Sequence, residues 1–224
     1  LQVTLDNDGE LTSSYQGQSS RSKLAEVPAC VSRAVHWAQV TQNPLRLDSD
    51  AHDAPVLLTS EGFSPLFSMV VPPAMTGEKM VRNESFWSEK MNTQVVNPSL
   101  SIHDDGLLEG GMSSGSRDGE GVPRRRQALV EDGRLTSMLW STRDAAQQVA
   151  EGRIDSAQST GSATSGGHQS PPSTGCTELF LTSTQPAQST DQLLERMGDG
   201  YIVNSVMGAH TCLLYTSPSP RDDT

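Results

Sequence analysis

Apolar and polar positions alternate from the first residues of the chain. Leu1-Gln-Val-Thr-Leu5 reads as a strand, Asp6-Asn-Asp-Gly9 as a turn, and the residues through Tyr15 as a second, polar strand. The period then changes. Between Lys23 and Gln42, apolar Leu24, Val27, Val31, Ala34, Val35 and Ala38 recur at three- and four-residue steps, which predicts a packed helix that Pro44 ends. A polar linker, Asp48-Ser-Asp-Ala-His-Asp53, leads to Ala54-Pro-Val-Leu-Leu58, whose apolar run predicts a buried strand and puts a boundary near residue 50. Thr59-Ser60-Glu61 reads as a helix start with Ser60 as N-cap. Phe63, Leu66, Phe67 and Val70 supply its apolar face, and Pro72-Pro73 is expected to stop it.

Short strands are predicted over 93–96 and 100–102, followed by an acidic turn, His103-Asp-Asp-Gly106, and a glycine-rich loop from Gly106 to Gly121. The clearest element is a hairpin: Pro123 to Val130, the turn Glu131-Asp-Gly-Arg134, and Leu135 to Trp140. A short helix is expected over 142–150, an exposed low-complexity loop over 155–175, and a strand over 177–182. A capped helix opens at Ser189, and a strand runs from Gly200 to Met207. The residues alone therefore describe a strand-rich α+β protein.

Composition narrows the function. A net charge of −11, from 16 basic against 27 acidic residues, argues against nucleic acid as a partner, since phosphate recognition needs clustered cations. Cys30, Cys176 and Cys212 lie far apart and form no CxxC pair, which suits a reducing cytoplasm better than a disulfide framework or a zinc ribbon. No stretch approaches the roughly 20 apolar residues that span a bilayer, so no membrane association is expected.

Local chemistry is sparse. His36, His52, His103, His168 and His210 never fall in HExxH or HExxxH spacing. His103-Asp104-Asp105 carries too few oxygen donors for a hard cation and reads as a solvated turn. Glycines 106–121 match neither a P-loop nor a dinucleotide fingerprint. The basic run Arg124-Arg125-Arg126 is expected to pair with carboxylates rather than phosphate, and no nucleophile signature occurs.

The order of several pieces carries more. Val56-Leu-Leu-Thr-Ser-Glu61, Asp118-Gly-Glu-Gly-Val-Pro123 with its hairpin, Asp199-Gly-Tyr-Ile-Val203 and Met207-Gly-Ala-His-Thr211 together resemble the TldD/PmbA family of metallopeptidase-like proteins. The resemblance implies a mainly antiparallel C-terminal domain with a few helices over residues 50–211, preceded by the end of an α/β N-terminal domain over 1–49. Residues 212–224 are set apart: Cys212 to Asp222 looks like a transposase sequencing adapter read in frame, so the chain is expected to be a truncated family member.

In the TldD branch, the helix after the Val-Leu-Leu strand carries HExxxH, which binds zinc for peptide hydrolysis. Alignment on Leu66-Phe67 and Gly77 sets Ser68, Met69 and Pro73 at those three positions. Neither Ser nor Met replaces an imidazole or a general base there, and Pro73 is expected to break the helix. The family's third ligand, a cysteine near its C-terminus, would lie beyond this chain, and Cys176 is not a match. The resemblance thus implies a PmbA (TldE)-type, noncatalytic subunit, with no catalytic, cofactor or metal residues of its own. Its expected partners are a TldD-type catalytic subunit holding the zinc and an unfolded peptide substrate. The alternatives are a hydrolase with unrecognised ligands and a non-proteolytic interaction domain.

Overall fold

The structure is a computed structural model and describes residues 1–22, 27–43, 53–167 and 169–206. His52, His168, His210, Cys212, the Met207 to Thr211 segment and the adapter-like tail lie outside the described residues. The chain forms two compact units, one of residues 1–52 with 108–114, the other of 53–107 with 115–224.

The first unit follows the predicted pattern. Strands β1 (Gln2–Asn7) and β2 (Glu10–Tyr15) pair antiparallel around Asp8 and Gly9. Both turn residues have positive φ, 54° and 92°, as a two-residue hairpin turn with right-handed strand twist requires. The Asp6 carboxylate accepts the Gly9 amide at 2.8 Å, which fixes the turn. Helix α1 (Val27–Val40) buries Ala34 and Ala38 of the face that the three- and four-residue spacing marked, together with Cys30, whereas Val27 and Val31 are exposed, 50% and 40%, and Leu24 lies outside the described residues.

In the second unit, β3 (Val56–Leu58) leads into α2 (Ser60–Ala74) and the five-residue α3 (Gly77–Val81). The predicted burial of β3 fails: Val56 is 57% and Leu58 39% exposed. Its sheet partner is β10 (Tyr201–Val203), paired in parallel, and two strands of three residues have too little surface to cover each other's faces. Thr59, not Ser60, caps α2, its hydroxyl accepting the Gly62 amide at 3.2 Å. The expected stop at Pro72-Pro73 is also corrected, because α2 runs through Pro65, Pro72 and Pro73 to Ala74. Proline's fixed φ is itself helical, and Pro72 and Pro73 fall in the last turn, where no further turn depends on them; each costs its lost donor and the crowding of its ring against the carbonyl four residues back.

The core lies under a four-stranded antiparallel sheet in the order β6-β5-β4-β9: β4 (Leu100–Asp105), β5 (Arg126–Glu131), β6 (Arg134–Leu135) and β9 (Leu179–Ser183). Ile102, Leu129, Val130, Leu135 and Leu139 are at most 2% exposed and pack with Ala74, Met75, Met80 and Trp87. The predicted hairpin is present, with Asp132 and Gly133 at positive φ between β5 and β6. Gly133 has no alternative: besides its φ of +77°, a Cβ would meet Gln94 and the carbonyls of Val96 and Asn97. Residues 93–96 form only an isolated bridge, Gln94 to Arg134, instead of a strand.

Helix α4 (Thr142–Ala150) begins at its expected residue, capped by Ser141, and is followed by the small hairpin β7 (Ala163–Thr164) and β8 (Ser173–Thr174). That hairpin corrects the expected exposed loop over 155–175, since Ser162 and Ala163 are essentially buried. Helix α5 (Thr190–Met197) starts from Ser189 with a reciprocal capping box to Gln192.

Candidate functional site

Four buried aspartates organise the polar connections of the second unit. Asp118 stands at the head of Asp-Gly-Glu-Gly-Val-Pro and is 8% exposed. Its Oδ1 accepts the amides of Glu120 at 2.9 Å and Val122 at 2.8 Å, and its Oδ2 accepts that of Ala163 at 3.0 Å. One carboxylate thus folds its own loop and ties it to the hairpin that includes Ala163. Glu120 carries the tie onward, because its two carboxylate oxygens accept the Thr142 and Arg143 amides, at 2.6 and 3.0 Å, in the first turn of α4. The motif that stood out in the sequence is a structural clasp.

Asp104 and Asp105 were expected in a solvated turn; instead they end the central strand β4, 1% and 8% exposed. Asp104 Oδ1 accepts the amides of Thr177 at 2.7 Å and Glu178 at 2.9 Å. Its pKa is raised, because burial outweighs these bonds and the nearby Arg124. Burial, helped by the Asp104 charge, pushes the Cys176 thiol up to about 12. Of the three arginines expected to pair with carboxylates, Arg126 does so, 4.0 Å from Asp105, and also stands 5.6 Å over the Phe180 ring. Arg124 and Arg125 instead donate to main-chain carbonyls, of Arg117 for the first and of Ser159 and Thr160 for the second, with Thr177 Oγ1 a further acceptor for Arg124. A carbonyl satisfies a guanidinium where loop backbone is the nearer acceptor.

The fourth aspartate faces a cleft. Asp144, 6% exposed, accepts both the Thr174 amide at 3.0 Å and the Thr174 hydroxyl at 2.6 Å on Oδ2. Thr174 Oγ1 in turn accepts the Ser141 amide at 2.7 Å, and Ser141 Oγ accepts the Asp144 amide at 3.0 Å, which locks the start of α4 to β8. Burial is the largest single influence on the carboxyl and raises its pKa, but the Thr174 hydroxyl and amide, the Ser141 hydroxyl and Arg143 together bring it below the usual value. The cleft, about 370 Å³ in volume, runs from Asp144 and Thr174 to Pro72 and Pro73 at the end of α2 and Lys79 on α3. Sequence reading missed it: Asp144 looks like any first-turn acid, and the only signal was its three-residue spacing from the N-cap Ser141.

With this geometry in view, the relatives of the chain can be placed. A family model described as the PmbA/TldA metallopeptidase C-terminal domain matches residues 51–217. The chain belongs to the PmbA/TldD family. It is 28% identical over 210 residues to an uncharacterized protein of Methanocaldococcus jannaschii, covering 93% of this chain and 45% of that protein. To the metalloprotease PmbA of Escherichia coli O157:H7 it is 28% identical over 155 residues, 69% of this chain and 30% of that protein. The crystal structure of TldE from Thermococcus kodakarensis superposes with a TM-score of 0.79 at 21% identity, over 93% of this chain and 45% of that one. The α+β fold thus agrees with that of a family structure, and the chain spans less than half the length of these relatives.

A metallopeptidase family implies a metal, and the three residues that the resemblance sets at the HExxxH positions do not fit one. Pro73 offers no side-chain donor, Met69 only a thioether, and the Ser68 hydroxyl sits on the exposed side of α2. Among the described residues, no three His, Cys, Asp or Glu side chains come together as a metal-holding group. No helix among them is long and apolar enough to cross a membrane.

Proposed function

We propose that this chain is part of a noncatalytic, PmbA (TldE)-type subunit of a metallopeptidase complex in the cytoplasm, and that a TldD-type partner supplies zinc and hydrolysis. The observation that carries this reading is the donor chemistry of α2. By the resemblance, Ser68, Met69 and Pro73 take the positions of the peptidases' two imidazoles and carboxylate, and these three side chains lack the means to bind zinc or activate water. What remains is binding. A cleft beside Pro73, with a carboxylate, hydroxyls and proline rings on its walls, is suited to holding peptide while the partner cuts.

The test is to co-express the intact gene with a TldD-type protein encoded beside it, then assay zinc and peptide hydrolysis for each subunit alone and together. Zinc and cleavage are expected only where the TldD-type subunit is present, with cleavage greatest for the pair. Stoichiometric zinc and zinc-dependent cleavage by this protein alone would overturn the reading and favour a hydrolase with other ligands. Absence of any complex would favour an interaction domain outside proteolysis.

A further inference from the structure

We infer that the cleft of Asp144 is a recognition site for a primary ammonium group on a peptide, with Asp144 as its anchor and the rings of Pro72 and Pro73 as a wall for the adjoining apolar side chain. The inference deepens the peptide-holding reading above by naming the chemistry the site selects. Three observations converge on it.

Asp144 is more than nine-tenths buried yet lines an open cleft, and among the described residues it makes no salt bridge. The hydrogen bonds to its carboxylate come from neutral groups, above all the Thr174 amide and hydroxyl. Those donors, with the Ser141 hydroxyl and the more distant charge of Arg143, hold the group in its charged form, but none of them forms an ion pair with it among the described residues. A fixed anion in a partly desolvated wall attracts a cation, and a primary ammonium, with three donors, suits one carboxylate and neighbouring hydroxyls better than a planar guanidinium would.

The other carboxylate of the cleft is already engaged: Glu78 pairs with Arg82 at 3.1 Å, and Arg82 also reaches Glu151 at 3.6 Å. That leaves Asp144 as the free anchor, with Lys79, exposed and without a salt bridge among the described residues, as the one cation on the walls. The volume, about 370 Å³, lies at the small end of ligand sites and matches a peptide end or a single side chain with its neighbour, not a folded partner.

The test is calorimetric titration of the intact protein with three short alanine-based peptides, all C-terminally amidated: one with a free amino terminus, one N-acetylated, and one N-acetylated with a central lysine. At least one ammonium-bearing peptide is expected to bind about tenfold or more tighter than the acetylated peptide without lysine. A preference for the free amino terminus assigns an amino-terminal site, and a preference for lysine a side-chain site. Equal binding of all three, or none, overturns the inference.

Asp144→Asn is expected to abolish the preference. Because that change also touches the α4 cap, Lys79→Glu, on an exposed side chain, serves as the independent variant. It adds an anion to the wall and is expected to tighten ammonium binding several-fold without affecting the acetylated peptide; no change there counts against the site. Zinc content and cleavage in the two-subunit assay test subunit role alone, so either result can fail without the other.

Discussion

Asp104 and Asp144 occupy two corners of the same unit, 1% and 6% exposed, and their carboxyls move in opposite directions. In both, burial is the largest influence and favours the neutral form. At the end of β4, the amides of Thr177 and Glu178 do not offset it, and the pKa rises. At the start of α4, the Thr174 hydroxyl, its amide and the Ser141 hydroxyl do offset it. What differs is the balance: both carboxyls receive amides and a threonine hydroxyl, but Asp104 is the more deeply buried, so its donors offset less of the cost. One corner is built to tolerate an acid, the other to keep it charged.

The sharpest way to break the comparison is to remove the charged corner. Asp144→Ala strands the Thr174 amide and hydroxyl and disconnects α4 from β8, so unfolding in urea should show a loss of about 3 kcal/mol. A loss below about 1 kcal/mol would mean that the network does not hold the corner.

Asp104→Asn should cost less, within about 1 kcal/mol at neutral pH, because the amide oxygen of Asn can accept the same two main-chain donors. Its clearer signature is in pH dependence. A carboxyl raised in the folded state contributes stability that is fully present below its ordinary value, 3.8, and lost as pH rises through the raised value. Asp144, lowered on folding, contributes stability present above its ordinary value and lost as pH falls through the depressed one. Unfolding at a series of pH values should therefore show Asp104→Asn without the decline that accompanies rising pH in the wild type. Parallel profiles for the two proteins would contradict the assignment.

The smallest effect concerns Cys176, whose thiol burial and the Asp104 charge push to about 12. At pH 9 only about one such thiol in a thousand is ionised, so alkylation should be slow. Removing the charge in Asp104→Asn should speed it while leaving it slow, since burial is the larger cause. An unchanged rate would separate the two residues electrostatically.

Local signals in the sequence located most elements. Asp8-Gly9 and Asp132-Gly133 announce their hairpins because few residue pairs accept two consecutive positive φ values. Ser141 and Ser189 announce helices because a side-chain acceptor is needed at their first turns. The failures came where long-range partners decide. His103-Asp-Asp-Gly106 reads as a turn until the amides of Thr177 and Glu178, more than 70 residues away, receive Asp104. Pro72 and Pro73 read as a stop, yet the helix runs through them. Residues 155–175 read as loop because their composition is polar, while Asp118 and its neighbours bury Ser162 and Ala163. Of the site, Ser68, Met69 and Pro73 were located only by resemblance, and the Asp144 cleft appears only when α2, α3, α4 and β8 converge.

The pairing of β3 with β10 has a consequence in time. Thr59 and Asn204, which flank it and share a 3.0 Å hydrogen bond, are 145 residues apart. At a synthesis rate of about 5–20 residues per second, β3 waits roughly 7–30 s on the ribosome before its partner exists. Throughout that interval the unpaired backbone edge of β3 and the start of α2, where Gly62 later abuts the Val203 carbonyl, are available to other chains. The emerging polypeptide should therefore depend on chaperones most heavily between the synthesis of its third strand and its tenth.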